Sequence, residues 1–554
     1  MYDAPHLIGG GARARRLPDW PDARPLRSWQ QEATEAVRAH SAPSFLASAT
    51  PAAGKTTFGL HIAHRMLSAG FVSRVVVAGP TTHICRQWAA DAARYGIDLE
   101  PNRPNSDGPE SGDFHGVAVT YQTIAAGPDT HRQGARRPTL LIADEPHHMG
   151  DQAAWGLQTR KAFDGARFRL LLSGTPFRSD NSAIPWVTYD EDGISRADYA
   201  YGYPQALVDR VCRPITFLPY DGEMEWISDG RLRSADFDLV LPAAEAARRL
   251  RTALHPEGEW MGEVLRDSDA RLSEVRAEGH PDAGGLVIAS DQDHARAIAA
   301  RLGSISGERP ELVMSDESGA SRRIADFADS DRRWLVSVLM VSEGVDIPRL
   351  RVGVYATAAR TELFFRQVVG RFIRATPRPR RQMSYLLMPA DPRLKALAHE
   401  IEEERRHALD LSPAAEEDES EEFDDPGQED GEPGGGFAAL SSGDAELDEA
   451  IMSATTLQLF PTDDPQPAPK KAATLAKSKA ASEDEPQRES AYAARERLRG
   501  ERSRMVGDLA RRSGKSHREI QARINRATGV RSVANATIDQ LERGNEMLRR
   551  ELWR

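Results

Sequence analysis

The sequence predicts an α/β protein with two tandem lobes built on parallel sheets, followed by a disordered acidic linker and a small all-α C-terminal module. From about residue 43 to 390, short β-branched or Leu-rich runs alternate with helical stretches, the pattern of a parallel sheet flanked by helices. The alternation occurs twice, over 25–211 and 212–395. After about residue 411 the chain becomes acidic and poor in apolar residues, a composition typical of disorder.

Nine apolar runs are the candidate strands of the two lobes. Several functional-looking segments directly follow one of these runs, and open α/β sheets bind their ligands beyond the carboxyl ends of the strands. The nine runs are Ser44–Ala47, Arg74–Ala78, Val117–Val119, Thr139–Ala143, Arg169–Leu172, Leu286–Ala289, Leu335–Leu339, Val352–Ala356 and Tyr385–Met388.

A chain of 554 residues has room for three or four domains. Between the two lobes the sequence is polar and helical over about 225–280, with Leu241–Leu254 as the clearest helix. The predicted divisions are an N-terminal extension at 1–24, a nucleotide-binding lobe at 25–211, a second lobe at 212–395 that includes the spacer, a helix end with a disordered acidic and Pro/Ala-rich linker at 396–490, and a basic helical module at 491–554.

The net charge of -12 is unevenly distributed along the chain. Residues 491–554 hold sixteen Arg or Lys and eight Asp or Glu, a balance of +8, which leaves -20 for residues 1–490. Fifteen acids and no Lys or Arg lie between Glu416 and Glu449. The acidic total therefore reflects the linker and does not exclude a nucleic-acid-binding lobe.

Cysteine content and hydropathy indicate the compartment. Cys85 and Cys212 cannot form a disulfide framework or a four-thiolate zinc site. No apolar run reaches the roughly 20 residues of a membrane span, and the first thirty residues lack a signal-peptide core. We expect a cytoplasmic protein with no membrane partner.

A phosphate-binding loop is predicted at Ala49–Thr57, between a strand and the helical Phe58–Leu67. Backbone N–H groups at a helix N-terminus bind phosphate oxygens, Lys55 can reach the β- and γ-phosphates, and the Thr56 hydroxyl can ligate Mg²⁺. Alanine stands at two positions where such loops often carry glycine, Ala49 and Ala52, and alanine resists positive φ. The candidate nucleotide-binding residues are Thr50, Pro51, Ala52, Ala53, Gly54, Lys55, Thr56 and Thr57.

Two further segments complete the predicted chemistry. Asp144 and Glu145 end an apolar strand, where Asp144 can hold Mg²⁺ and Glu145 can activate the attacking water. Arg371 and Arg374 lie three residues apart on a predicted helix, so that both face one side and can stabilise charge on the γ-phosphate. Gln367, one turn earlier, can position the water or contact the γ-phosphate.

These segments, in this order, resemble superfamily 2 DNA helicases and translocases, in the branch of type III restriction motor subunits and repair helicases. The resemblance covers about residues 25–395 and implies two RecA-like P-loop lobes that use ATP and Mg²⁺. Five more segments occur in family order: Leu26-Arg27-Ser28-Trp29-Gln30, Ala78-Gly79-Pro80-Thr81-Thr82 through Gln87-Trp88, Thr120-Tyr121-Gln122-Thr123, Ser173-Gly174-Thr175-Pro176 and Ser342-Glu343-Gly344-Val345-Asp346-Ile347-Pro348.

The resemblance also implies roles for individual residues. Adenine contacts fall on Arg27 and Gln30, and further nucleotide contacts on Gly344 and Asp346. The implied nucleic-acid contacts are Pro80, Thr81, Gln87, Thr120, Gln122 and Thr123. The residues implied to couple hydrolysis to movement are His147, Ser173 and Thr175.

The expected activity is an ATP-dependent DNA helicase or translocase. The phosphate loop and the arginines fall in different lobes, so ATP would complete its site only when the cleft closes. Three alternatives remain at this point: an RNA helicase, the motor subunit of a restriction or phage-defence complex, and a nucleotide-gated DNA-binding switch that does not translocate. DNA is the more expected polymer, because Gln87-Trp88 and Asp144-Glu145-Pro146-His147 resemble the DNA branch.

The C-terminal module has two open interpretations. Met505–Arg512, the turn Ser513–Lys515 and Ser516–Ala527 fit a small helix-turn-helix that binds DNA. They also fit a helical hairpin that docks on the motor or on a partner such as a nuclease or accessory protein. Ser516 with Glu519, and Thr537 with Gln540, fit capping boxes that open two helices.

Overall fold

The computed structural model forms two compact units, and each is described by itself. The first unit comprises Met1–Ser48, Gly54–Ala200 and Lys471–Arg554, and the second comprises Ala49–Ala53 and Tyr201–Lys470. The structure describes residues 17–21, 25–108, 110–151, 153–174, 183–191, 194–228, 230–314, 319–338, 347–376, 382–410, 437–442, 445–447, 489–530 and 532–553.

A seven-stranded sheet forms the core of the first unit. Its buried strands are Val-, Leu- and Ala-rich, as expected for strands covered on both faces. The strands along this part of the chain are β1 (Ser44–Ala49), β2 (Arg74–Gly79), β3 (Leu99–Pro101), β4 (Gly116–Thr120), β5 (Thr139–Asp144), β6 (Phe168–Ser173), β7 (Thr188–Tyr189), β8 (Ser195–Arg196) and β9 (Tyr199–Tyr201). The sheet order is β3-β4-β2-β5-β6-β1-β9, and β7 and β8 pair separately as an antiparallel ribbon.

Helices connect these strands. The threonines before the third and fourth helices act as N-caps, since the Thr81 hydroxyl accepts from the Ile84 amide and the Thr120 hydroxyl accepts from the Thr123 amide. The helices are α1 (Ser28–Ala39), α2 (Lys55–Ser68), α3 (Thr82–Ala93), α4 (Tyr121–Ala126), α5 (Pro128–Gly134), α6 (His148–Asp151) and α7 (Ala153–Phe163).

The second unit repeats the architecture. Its strands are β10 (Ile215–Asp221), β11 (Met224–Ser228), β12 (Arg231–Ala235), β13 (Gly284–Ala289), β14 (Glu311–Val313), β15 (Trp334–Val338), β16 (Leu350–Ala356), β17 (Ser384–Pro389), β18 (Phe437–Ser442) and β19 (Glu446–Leu447). The main sheet has the order β14-β15-β13-β16-β17-β10-β19 and is parallel except at β10–β19. Its helices are α8 (Tyr203–Val208), α9 (Ala243–Ala253), α10 (Glu259–Ala277), α11 (Gln292–Ser306), α12 (Ala320–Ala328), α13 (Glu362–Phe372) and α14 (Pro392–Asp410).

The predicted fold class is confirmed: a strand forms at each of the nine apolar runs, and two parallel sheets follow one another along the chain. The expectation of a helical spacer over 225–280 is confirmed by α9 and α10 but is wrong at its start. There β11 and β12 pair as an antiparallel hairpin. Burial alternates along β11, so this stretch has the period of two of a half-buried strand rather than a helical period.

Two short strands depart from the disordered linker expected over 396–490. Phe437–Ser442 pairs with β11, and Glu446–Leu447 pairs with β10, both antiparallel. The backbone groups of these segments form hydrogen bonds with strands of the second unit that are distant in the sequence. Amino-acid composition does not reveal such pairing. Residues 411–436, 443–444 and 448–488 lie outside the described part of the chain.

The C-terminal module is a three-helix bundle of α15 (Ala491–Ser513), α16 (His517–Thr528) and α17 (Ile538–Leu552). Both predicted capping boxes are present at the starts of α16 and α17. Gly514 ends α15 with a φ of 69°, the left-handed conformation that glycine adopts without strain. The core between the helices consists of Val506, Leu509, Ile520, Ile524 and Leu548. Among the described helices, none combines the length and apolar character needed to cross a membrane.

Within the first unit, the bundle packs against the part that carries the sheet through the N-terminal ends of two helices. Asp98 Oδ1 accepts a hydrogen bond from the Ala491 amide at 3.0 Å, and Asp113 Oδ2 accepts one from the Ile538 amide at 2.8 Å. A carboxylate at a helix N-terminus satisfies a free N–H group and interacts favourably with the helix dipole. The docking interpretation of the module is therefore correct at this end of the bundle.

A buried charge cluster lies beside these contacts. The Glu100 carboxylate is 2.7 Å from Arg103 and 3.4 Å from Arg495, and the Arg495 guanidinium lies 4.9 Å from the Phe114 ring centroid. Glu100 thus neutralises one arginine from the sheet side and one from the bundle.

We predict that Glu100→Gln loosens the bundle, because it leaves Arg103 and Arg495 buried without their carboxylate. Breaking a buried ion pair by removing one partner costs about 3–5 kcal/mol. Native-state hydrogen exchange of the α15 amides measures this as a lower free energy of opening. Glu546→Gln is the control, because Glu546 pairs with Arg550 at an exposed position. Equal protection in both variants would contradict the assigned role of Glu100.

Candidate active site

The phosphate loop ends where α2 begins. Gly54, the N-cap of α2, has a φ of 93°, and a Cβ placed on it would lie 2.9 Å from Gln30 Nε2. The Gln30 amide donates to the Gly54 carbonyl at 2.9 Å and accepts from the Arg27 amide N–H at 2.9 Å. Gln30, predicted to contact adenine, is thus buried and holds the end of the loop, while Arg27 beside it is exposed.

The start of the loop is strained at one of the two alanines singled out in the sequence. Ala52 has a φ of 70°, in the left-handed region that costs a residue with a Cβ roughly 1–2 kcal/mol. Ala49–Ala53 groups with the second unit, where Pro51 lies against Gly370 of α13: a Cβ on Gly370 would be 2.5 Å from the Pro51 ring. Glycine at 370 therefore permits this close approach.

Lys55 and Glu145 form an ion pair at the centre of the site. Lys55 Nζ lies 2.6 Å from Glu145 Oε1, and the other carboxylate oxygen accepts from the Gly174 amide at 3.2 Å. His147 Nδ1 is 3.6 Å from Glu145 Oε2. Burial alone would raise the pKa of Glu145, but Lys55 and His147 outweigh it and hold that pKa below its ordinary value. Glu145 is therefore kept ionised.

The backbone of Glu145 is strained. Its φ is 51°, although residues before proline normally adopt extended conformations and Pro146 follows. The amide of Glu145 donates to the Leu172 carbonyl at 2.8 Å, which fixes the turn against β6. Strain of about 1–3 kcal/mol persists only where the surroundings hold it, which is typical of functional sites.

Asp144 is oriented by two aromatic side chains. Trp88 Nε1 donates to Asp144 Oδ2 at 2.7 Å, and the Tyr121 hydroxyl donates to the Asp144 backbone carbonyl at 2.8 Å. Sequence reasoning missed this role for Trp88. The available signal was that Trp88 lies in the helix after β2, and β2 is adjacent to β5 in the sheet.

Burial, together with the negative charge of Glu145, raises the pKa of Asp144. A carboxylate beside a like charge gains most from a nearby cation. The Asp144 carboxylate and the Thr56 hydroxyl are both hard oxygen donors at the carboxyl edge of the sheet, and such donors suit Mg²⁺. The donor chemistry of these two residues fits the Mg²⁺ that the sequence predicts.

The predicted nucleic-acid contacts end or follow two neighbouring strands of the first sheet. Pro80, Thr81 and Gln87 follow β2, Thr120, Gln122 and Thr123 end or follow β4, and the two strands are neighbours. The side chains of Gln87 and Gln122 are exposed. The hydroxyls of Thr81 and Thr120 are engaged as helix N-caps, at 3.3 Å and 3.1 Å from the capped amides.

The predicted arginines lie in the second unit. Gln367 and Arg371 are on α13, but the expectation that Arg374 shares that helix is wrong. The helix ends at Phe372, and Arg374 forms an isolated antiparallel bridge with Cys212. The Arg213 amide donates to the Ile373 carbonyl at 2.6 Å, so the chain leaves the helix to pair with residues 212–213.

One arginine near these residues was missed from the sequence. Arg366 pairs with Glu362 at 2.7 Å on its own helix and with Glu404 of α14, so it ties α13 to the following helix. Ser173 is buried at the end of β6, whereas Thr175, Gly344 and Asp346 lie outside the described residues.

Comparison with known proteins decides the family. Residues 24–178 match the model of the family described as type III restriction enzyme, res subunit. The chain is 46% identical over 441 residues to uncharacterized protein Rv2917 of Mycobacterium tuberculosis, covering 78% of this chain and 73% of that protein. It is 45% identical over 416 residues to uncharacterized protein ML1624 of Mycobacterium leprae, covering 74% and 69%.

The chain belongs to the same family as these two mycobacterial proteins. Among solved structures, this chain is similar to a fragment of a putative HsdR subunit of a type I restriction enzyme from Vibrio vulnificus. The identity is 17% and the TM-score 0.46, with 67% of this chain and 65% of the fragment covered.

We predict that Trp88→Phe weakens Mg²⁺ binding by this protein. Loss of the indole N–H frees Asp144 to rotate, and groups that orient a metal ligand typically contribute on the order of tenfold to 100-fold in metal affinity. Titration of Mg²⁺ against binding of a fluorescent ATP analogue measures the change.

The matched control is Trp226→Phe, which removes an indole hydrogen bond to Glu245 in the other unit. An unchanged Mg²⁺ midpoint in Trp88→Phe would show that the indole does not orient Asp144.

Proposed function

We propose that the protein is an ATP-driven motor that moves along DNA. The observation that carries this proposal is the Lys55–Glu145 ion pair of 2.6 Å beside the oriented Asp144, at the N-terminus of α2. A cation for phosphates, a base for water and a carboxylate for Mg²⁺ thus lie together where an anion-binding helix begins.

The proposed chemistry starts with an exchange of partners. ATP phosphates would bind the N–H groups at the start of α2 and draw the Lys55 ammonium away from Glu145. The released carboxylate of Glu145, still ionised, would accept a proton from the attacking water. Mg²⁺, held by Asp144 and Thr56, would neutralise charge on the phosphate oxygens.

Residues of the second unit are proposed to complete hydrolysis and couple it to movement. Arg371 and Arg374 would stabilise negative charge on the γ-phosphate, and Gln367 would orient the water. Because these groups and Lys55 belong to different units, binding and hydrolysis of ATP would alternate closure and release. His147, which lies 3.6 Å from Glu145, is suited to report the state of the nucleotide.

The DNA contacts are proposed to be neutral and independent of sequence. The candidates are Pro80, Thr81 and Gln87, which follow β2, and Thr120, Gln122 and Thr123, which end or follow β4, and these two strands are neighbours in the sheet. Hydroxyl and amide groups hydrogen-bond to phosphates without reading bases. A second candidate, the motor subunit of a restriction complex, is supported by the match of residues 24–178 to the res-subunit family model.

The proposal predicts DNA-stimulated ATP hydrolysis. Steady-state ATPase is measured without polymer and with single-stranded DNA, duplex DNA or RNA. DNA should increase the rate more than RNA does, and Lys55→Ala should abolish the activity because the phosphates lose their cation. Lys161→Ala is the matched control, since Lys161 is an exposed lysine of the same unit that pairs with Asp129.

Two results would contradict the proposal. A slow rate that is equal in all four conditions would favour the nucleotide-gated switch. Stimulation by RNA alone would favour an RNA helicase.

A further inference from the structure

The C-terminal bundle has a free end opposite to its docked end. The helices α15 and α17 both begin at the first unit, at Ala491 and Ile538. They run in the same direction, because the Asn545 side-chain amide donates to the Leu498 carbonyl at 2.9 Å and Arg512 donates to the Leu552 carbonyl. Since α15 has 23 residues, its C-terminal end lies about 35 Å along the helix from its docked end.

We call this free end the tip and define it as residues 511–519 together with Trp553. All nine residues from 511 to 519 are exposed. The tip carries four cations, and one of them, Arg511, pairs with Asp508. The acid of the tip, Glu519, accepts from the Ser516 amide at 2.9 Å and is engaged in its own helix cap.

Two of the tip cations lie where the helix dipole does not favour positive charge. Arg511 and Arg512 lie in the last turn of α15, where the helix dipole favours positive charge. Arg518 instead lies in the first turn of α16, and Lys515 just before it, where the dipole opposes positive charge. In the part of the chain that the structure describes, neither Lys515 nor Arg518 forms a salt bridge with an acid, although the charge of Lys515 acts on Glu519 and helps to lower its pKa. Their charge is available for an external anion.

The tip also contains an exposed aromatic side chain. Trp553 is 89% exposed, and the preceding residue, Leu552, accepts a hydrogen bond from Arg512. Trp553 thus directly follows a backbone position that contacts Arg512, and its indole is exposed rather than in the core. Cations that meet phosphates, together with an aromatic face on which an unpaired base can stack, are the two elements of single-strand recognition.

We propose that the tip is a second nucleic-acid site, which binds single-stranded DNA through Arg512, Lys515, Arg518 and Trp553. It is distinct from the motor contacts after β2 and β4, and it rests on the proposed function only in the choice of DNA. Because the other end of the bundle is anchored by Asp98, the site is carried by the unit that holds Lys55.

The test compares two pairs of substitutions in the full-length chain. Lys515→Gln/Arg518→Gln removes two unpaired tip cations. Arg497→Gln/Arg543→Gln removes two exposed arginines of the same bundle that pair with acids. Fluorescence anisotropy with labelled oligo(dT) of about 30 nucleotides measures affinity across a range of salt concentrations.

Removal of two phosphate contacts should make the slope of log affinity against log salt shallower by about 1.4, at roughly 0.7 per contact. The control pair should keep the slope of the unmodified chain. In a third variant, Trp553→Ala should weaken binding roughly fivefold to 150-fold, the range for loss of one base stack.

Each of the other outcomes contradicts the tip site, its assignment to single-stranded DNA, or both proposals. An unchanged slope in the tip pair, with unchanged affinity in Trp553→Ala, would overturn the tip site, and DNA-stimulated ATPase in the same sample would leave the motor proposal standing. A larger loss on duplex than on oligo(dT) would overturn the single-strand assignment. An unmodified chain that binds no DNA and shows no stimulation would overturn both proposals.

Discussion

The site depends on the withdrawal of two adjacent carboxylates from water at the end of β5. Neighbouring carboxylates in a poorly solvated place repel one another, so they require a cation and hydrogen-bond donors nearby. Lys55 supplies the cation, and Trp88 and Gly174 supply donors from the segments after β2 and β6. Three segments of the first sheet are thereby held in one arrangement, and the strained backbone of Glu145 is held with them.

The contacts of Lys55, Glu145 and Asp144 would let nucleotide binding switch the site on. While Lys55 neutralises Glu145, the carboxylate has a partner and does not face water as a free base. Phosphates that compete for Lys55 would release it, and a divalent cation near Asp144 would replace the lost positive charge. Binding of nucleotide and activation of the base are then one event, which would limit hydrolysis to the occupied site.

The nine strands and both capping boxes could be predicted because they depend on local patterns: buried apolar runs, and Ser or Thr followed three residues later by Glu or Gln. What was missed depends on distant contacts. Composition gave no sign that Phe437–Ser442 would pair with β11, or that Asp98 would cap α15 from more than 390 positions away. Motifs singled out Lys55, Asp144 and Glu145 as candidates, but the orienting contact of Trp88 follows only from the sheet order. Arg374 lies outside its predicted helix because the chain there pairs with residues 212–213, which are distant in the sequence.

The most direct test of the account is the ATP affinity and hydrolysis rate of Glu145→Gln. If Glu145 both holds Lys55 and activates water, the neutral side chain should release the lysine, so ATP should bind at least as tightly as to the unmodified protein. Hydrolysis should fall by about 10²-fold or more, the usual contribution of a positioned general base. Normal hydrolysis, or an ATP affinity as low as that of Lys55→Ala, would contradict the account.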